Sequence, residues 1–154
     1  KDRHKEKLLE LTGMYENEAK INAENECYLS ATAMYGAALE CHLLLHCLRN
    51  IDAAQKAYET IYPGTKKKNP LEWTLGSMLK VCVDLEVLPD FEVNDFKFQT
   101  KDISDFLKNA RNLMHPGKNV RERSAITFGH EQFKDIKAAY LFVTSILDAN
   151  GEEN

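Results

Sequence analysis

The chain has 154 residues, of which 44% are hydrophobic, 29% charged and 9% aromatic, with seven Gly and four Pro. That length suits one domain with a core of its own, and the composition excludes a disordered chain, a collagen-like repeat and a Gly/Pro-rich linker. Lys and Arg number 20 against 24 Asp and Glu, and the net charge of −4 excludes a uniformly basic coat for nucleic acid.

Taken in order, the punctuation divides the chain into helices. Leu8, Leu9, Leu11, Tyr15 and Ala19 predict an amphipathic helix from Lys5 to Ile21, weakened by Gly13. From Glu26 to Leu48 there is no Pro, and Leu29, Ala33, Ala37, Cys41, Leu44 and Leu48 recur at helical spacing. Small residues in this stretch (Ser30, Ala31, Thr32, Ala33, Gly36, Ala37, Ala38) leave room for another helix to approach closely. A shorter helix, Ala53–Ile61, stops at Tyr62-Pro63-Gly64, and Lys66–Lys68 reads as a solvated loop. Asn69-Pro70-Leu71-Glu72 combines an N-cap residue, Pro at the first helical position and Glu three residues after the cap. It predicts a helix over Leu71–Leu85, with Leu75, Met78, Leu79, Cys82 and Leu85 on one face and Pro89 as its stop.

Phe91, Val93, Phe96 and Phe98 alternate as in an extended segment, for which no strand partner is evident. Thr100 predicts the N-cap of a helix carrying Ile103, Phe106, Leu107 and Ala110, closed by Pro116-Gly117. A last helix spans Glu131 to Ala149, with Phe133, Ile136, Ala139, Tyr140, Val143, Ile146 and Leu147 apolar. The expected fold is all-α: an antiparallel bundle of four to six helices whose core comes from the second, fourth, fifth and last.

The longest uncharged apolar stretch, Cys41–Leu48, is interrupted by His42 and His46 and falls well short of the roughly 20 residues that span a bilayer. No membrane partner is expected. Cys27, Cys41, Cys47 and Cys82 form no CxxC pair, and three lie in strongly apolar surroundings, as buried reduced thiols of a cytoplasmic protein would. The chain starts at Lys1 rather than Met, so a trimmed end or a piece of a longer protein is also expected.

The segment richest in chemistry is Arg111-Asn112-Leu113-Met114-His115-Pro116. Four residues apart on a helix, Arg111 and His115 share a face about 6 Å apart along the axis. His115 precedes Pro116 and so falls at the helix end, where the carbonyl end of the dipole favours an imidazolium. An imidazole that gives or takes a proton, beside a guanidinium that grips phosphate with two hydrogen bonds, suits RNA cleavage without a metal or other cofactor. The alternative is structural: both side chains cap carbonyls or pair with Asp105 or Glu40. Between Lys101 and Arg123, six basic residues face three acids, and Lys118, Arg121 and Arg123 form a basic loop suited to an RNA backbone.

The same segment resembles the RNxxHP signature of HEPN-like proteins. Tyr35-Gly36-Ala37-Ala38-Leu39-Glu40 looks like that family's first long helix, and Trp73-Thr74-Leu75-Gly76-Ser77-Met78-Leu79 like its second. The resemblance covers roughly Tyr28 to Leu147. It implies one HEPN-like helical domain, taken as 1–154, while the residues themselves predict the N-terminal helix in 1–24 and a polar, disordered tail at 150–154. It further implies a homodimer in which Arg111 and His115 from both protomers form a metal-independent ribonuclease site, with Asn112 in the polar position after the arginine. RNA and a cognate partner protein are the implied partners, in a toxin–antitoxin, antiviral defence or RNA-regulatory setting. In one respect the chain departs from the family: only Asn112, Leu113 and Met114 separate Arg111 from His115, fewer than the nuclease motif commonly has. One residue fewer turns the histidine about 100° around the helix. The departure keeps open a non-catalytic dimerisation or protein-interaction module, or an accessory domain.

Other motifs carry less. His42 and His46 form an HxxxH pair, but without the Glu of a zincin or a second ligand cluster they read as core or interface histidines. Alternatively, Glu40 and His42 face the Arg111 site. Trp73 and the phenylalanines from Phe91 to Phe98 read as core. Motifs for phosphoryl transfer from ATP, hydride transfer and serine hydrolysis are absent from the sequence.

Overall fold

The computed structural model describes residues 2–88, 91–93, 96–98 and 129–151. The helix expected after Thr100, the Arg111–Pro116 segment, the basic loop and the last residues of the tail lie outside them. The described chain is an all-α bundle of helices packed together, with one short pair of strands.

Helix α1, Asp2–Glu24, runs unbroken through Gly13, whose missing side chain would meet nothing within 4 Å. The turn after it is tight and fully bonded. Glu26 adopts φ +60°, its N–H donates to Ala23 O at 3.1 Å, and the Cys27 N–H donates to Asn22 O at 2.8 Å. This double closure starts α2, Tyr28–Arg49, back along α1.

Helix α2 is the axis of the bundle. It packs against α1, against α3 (Ile51–Ile61), against α4 (Leu75–Asp84) and against α5 (His130–Gly151). Neighbours on several sides explain why its buried surface is not the expected stripe. Of the expected positions Cys41 is buried, Leu29 is 38% exposed, and Ala33, Ala37, Leu44 and Leu48 are half-buried, whereas Ala31, Tyr35, Ala38, Leu39, Leu43, Leu45 and Cys47 are also buried. The small residues Ala31 and Ala38, with Ala19 of α1, reach zero exposure, in keeping with close helix approach. The first helix therefore joins the core, against the expectation that omitted it: Leu8, Thr12 and Ala19 are buried.

After α3 the chain turns at Gly64, where φ is +76°. Asn69 does cap the next segment, its side chain accepting from the Leu71 N–H, but that segment is a three-residue 3-10 turn, Pro70–Glu72, rather than the expected helix. Two interactions explain the change. Trp73 is held in extended backbone (φ −82°, ψ 151°), its ring stacked on Tyr58 at 4.3 Å and its Nε1 donating to Lys67 O at 2.9 Å. Thr74 then provides the N-cap that starts α4, accepting from the Ser77 N–H at 3.2 Å.

Helix α4 ends before Pro89 for a local reason. Glu86 sits at φ +58°, with Glu86 N–H to Val83 O at 2.9 Å and Val87 N–H to Cys82 O at 3.0 Å, the same closure as after α1. The alternating segment beyond finds its partner within itself: β1 (Phe91–Val93) pairs antiparallel with β2 (Phe96–Phe98), Phe91 opposite Phe98 and Val93 opposite Phe96. Alternation alone does not distinguish one strand from two halves folded on each other.

Two glutamates thus occupy left-handed positions that cost an L-residue about 1–2 kcal/mol, and a glycine occupies an open helix interior. Glu26→Gly, Glu86→Gly and Gly13→Ala are each expected to raise unfolding free energy by about 0.5–1 kcal/mol in urea titrations. Unchanged midpoints in all three would contradict these backbone assignments.

Candidate functional site

The residues expected to act on RNA (Arg111, Asn112, His115, Lys118, Arg121 and Arg123) lie outside the described residues. The histidines of α2 are described, and they diverge. His42 Nε2 lies 3.4 Å from Glu16 Oε1 of α1, and its ring meets that of Tyr140 of α5 edge-on at 5.9 Å. His46 is buried, and loss of hydration, with Arg49 nearby, lowers its pKa and favours the neutral imidazole. Among the described residues no group of three His, Cys, Asp or Glu is placed to hold a metal ion.

What the fold brings together instead is a polar junction of three helices. Glu16 Oε1 accepts from the Tyr140 hydroxyl while also facing His42 Nε2. Tyr35 of α2 lies beside Tyr140, ring centres 4.8 Å apart. Each polar tip emerges from a helical core position. Tyr35 comes after buried Ala31 and Thr32 on α2, and Tyr140 after Phe133 and Ile136 on α5, so both rings enter the core with their hydroxyls needing partners. Glu16 is one turn beyond Thr12, which is buried on the same side of α1.

Burial, then the hydrogen bond to Glu16 and its charge, pushes the Tyr140 phenol well above the usual range; burial and then Glu16 raise Tyr35. Tyr140 is therefore a fixed donor. The carboxylate, phenol and imidazole tie α1, α5 and α2 into one unit, with Tyr140 4% exposed. Sequence reading did not single out Glu16 or Tyr140 as polar partners. The available signal was a tyrosine at a core position of a helix, which calls for a polar group elsewhere in the fold.

No protein family, curated protein or solved structure matches the chain. Among the described residues no helix is long and apolar enough to cross a membrane. From the junction outward an aromatic series runs along the α2–α5 seam: Tyr35 also meets Phe133 at 5.9 Å, Phe133 meets Tyr28 at 5.4 Å, and Tyr28 meets His130 edge-on at 5.5 Å. This series positions the start of α5. The cysteines are free, with Cys41, Cys47 and Cys82 buried and Cys27 exposed. Contact with Cys47, and then burial, raises the Cys82 thiol; burial raises Cys41.

These shifts fix a pH dependence. Each group holds its proton more tightly folded than unfolded, so the stabilisation is complete below the unfolded pKa and is lost as pH rises from there toward the folded one. The thiols of Cys41 and Cys82 begin this loss near pH 8.5, and the phenols of Tyr35 and Tyr140 add to it from about pH 10. Urea midpoints are expected to fall steadily from about pH 8.5 to about pH 11, less steeply in Tyr140→Phe. A flat profile across that window would contradict the buried, protonated assignment.

Proposed function

We propose that the chain is a HEPN-like dimeric domain that cleaves RNA without a metal ion, with His115 moving the proton and Arg111 gripping the phosphate. The observation that carries the reading is the Arg111-Asn112-Leu113-Met114-His115-Pro116 segment. The all-helical bundle supports it, since α2 and α5 supply the long helices that such a domain needs on either side of the segment. Asn112 stands beside the arginine, and Lys118, Arg121 and Arg123 hold the RNA backbone at salt-sensitive cost. The setting is a toxin, defence or RNA-regulatory system with a cognate partner protein.

A second reading has its own support: the short spacing and the net charge of −4 favour a non-catalytic dimerisation or protein-interaction module. Labelled single-stranded RNA incubated with purified protein, with and without EDTA, separates them, with sedimentation run in parallel. Cleavage by a dimer that survives EDTA supports the enzyme. A well-folded dimer that cuts none of several RNAs leaves the module, and a monomer excludes the dimeric nuclease and a dimerisation role while leaving a protein-interaction module.

A further inference from the structure

We propose that a cleft between the start of α1, the α2–α3 junction and the 68–71 segment binds a small organic anion with a flat apolar body. The cavity is about 350 Å³, a volume suited to one small ligand. Leu48, Ile51 and Leu71 give it an apolar lining, and Leu71 is 42% exposed, so a covering ligand removes apolar surface from water. Lys5 and Lys68 supply positive charge, His4 adds a ring nitrogen that can donate a hydrogen bond, and no Asp or Glu is among the described lining residues.

Two amides complete the wall. Gln55 Nε2 donates to Lys68 O at 2.9 Å, and Asn69 Oδ1 accepts from the Leu71 N–H at 3.1 Å. These bonds, with Trp73 Nε1 on Lys67 O, fix the 67–71 backbone against α3, so the cleft is formed before any ligand arrives. They also use only half of each amide. Among the described residues Gln55 Oε1 and Asn69 Nδ2 have no hydrogen bond, which leaves one acceptor and one donor on lining residues for the polar edge of a heterocycle. Lys68 Nζ lies 3.3 Å from Glu59 Oε1, but both side chains are well exposed, so the pair is weak and an incoming anion competes for the ammonium. Lys5 has no ion pair among the described residues.

The ligand chemistry is thus an anion joined to a ring, of nucleoside monophosphate or aromatic carboxylate size. The described lining residues and the Arg111–Arg123 segment are tested by different variants and different probes, so this inference and the RNA-cleavage reading succeed or fail separately. The test is isothermal titration, with amide NMR shifts locating the site, using adenosine 5′-monophosphate, indole-3-acetate, inorganic phosphate and adenosine as separate probes. The nucleotide or the carboxylate, whichever binds, is expected to exceed phosphate and adenosine by about tenfold or more, with shifts at Gln55 and Asn69. Lys5→Glu and, independently, Leu71→Trp (which fills the cleft) are each expected to weaken it about tenfold while leaving the melting temperature unchanged. Equal binding of phosphate alone, no binding at millimolar concentrations, or indifference to both variants would overturn the proposal.

Discussion

Alanine at Tyr140 is expected to destabilise the protein by about 3–5 kcal/mol, the range for removing a large aromatic side chain from a packed core. The ring is 4% exposed and wedged between Tyr35, 4.8 Å away, and His42, 5.9 Å away. Tyr35 and His42 are themselves rings and His42 is held by Glu16, so neither collapses readily into the gap. Tyr140→Phe separates packing from the hydroxyl. It keeps the ring but removes the donor to Glu16, at a cost of about 1–2 kcal/mol. That figure stays at the lower end for a charged acceptor because the Glu16 side chain is 33% exposed and can turn to water. Urea unfolding of both variants, with Glu16→Leu and the double variant completing a cycle, measures the coupling directly, since leucine leaves no acceptor for the hydroxyl. Equal stability of Tyr140→Ala and Tyr140→Phe would mean that the ring does not pack as described; additivity of Glu16→Leu with Tyr140→Phe would mean that the hydrogen bond contributes nothing.

The same junction marks the boundary of what the sequence reveals. The last helix was legible in full: Phe133, Ile136, Tyr140, Val143 and Leu147 recur at helical spacing, and all five are buried on α5. The long second helix was legible as a helix but not in its facing, since a stripe predicts one neighbour and α2 has four. The start of α4 was misread because Asn69-Pro70-Leu71-Glu72 carries every local helix signal, and what overrides it is Trp73 reaching Tyr58 on another helix. Tyr140 and Glu16, 124 residues apart, belong to the same class of event. Periodicity states that a side chain enters the core, and only the fold states which partner waits there. The candidate catalytic residues invert this situation: the RNxxHP segment is conspicuous as a sequence, and its residues lie outside those described.

On the proposed function, His115→Ala is expected to lower RNA cleavage about 10²–10⁴-fold, the range for removing a positioned proton-transfer group. Arg111→Ala removes a different contribution, stabilisation of charge on the phosphorus centre, and a loss of about 10²–10³-fold is expected. Arg111→Lys is informative because it retains the charge without the two-pronged guanidinium, and is expected to recover little of the activity. The two roles leave different signatures. His115 is the group expected to set the pH profile, so Arg111→Ala leaves the profile's shape intact while lowering its height. Residual cleavage by His115→Ala should lose the limb due to imidazole ionisation. Variants at Lys118, Arg121 and Arg123 hold RNA without touching the reacting bond, so they are expected to raise KM and flatten the salt dependence with kcat nearly unchanged. Urea midpoints measured on every variant separate loss of the reaction from loss of the fold. Cleavage that persists in His115→Ala at full rate, with the same pH profile, would remove the imidazole from the reaction and leave the interaction module as the better account of this bundle.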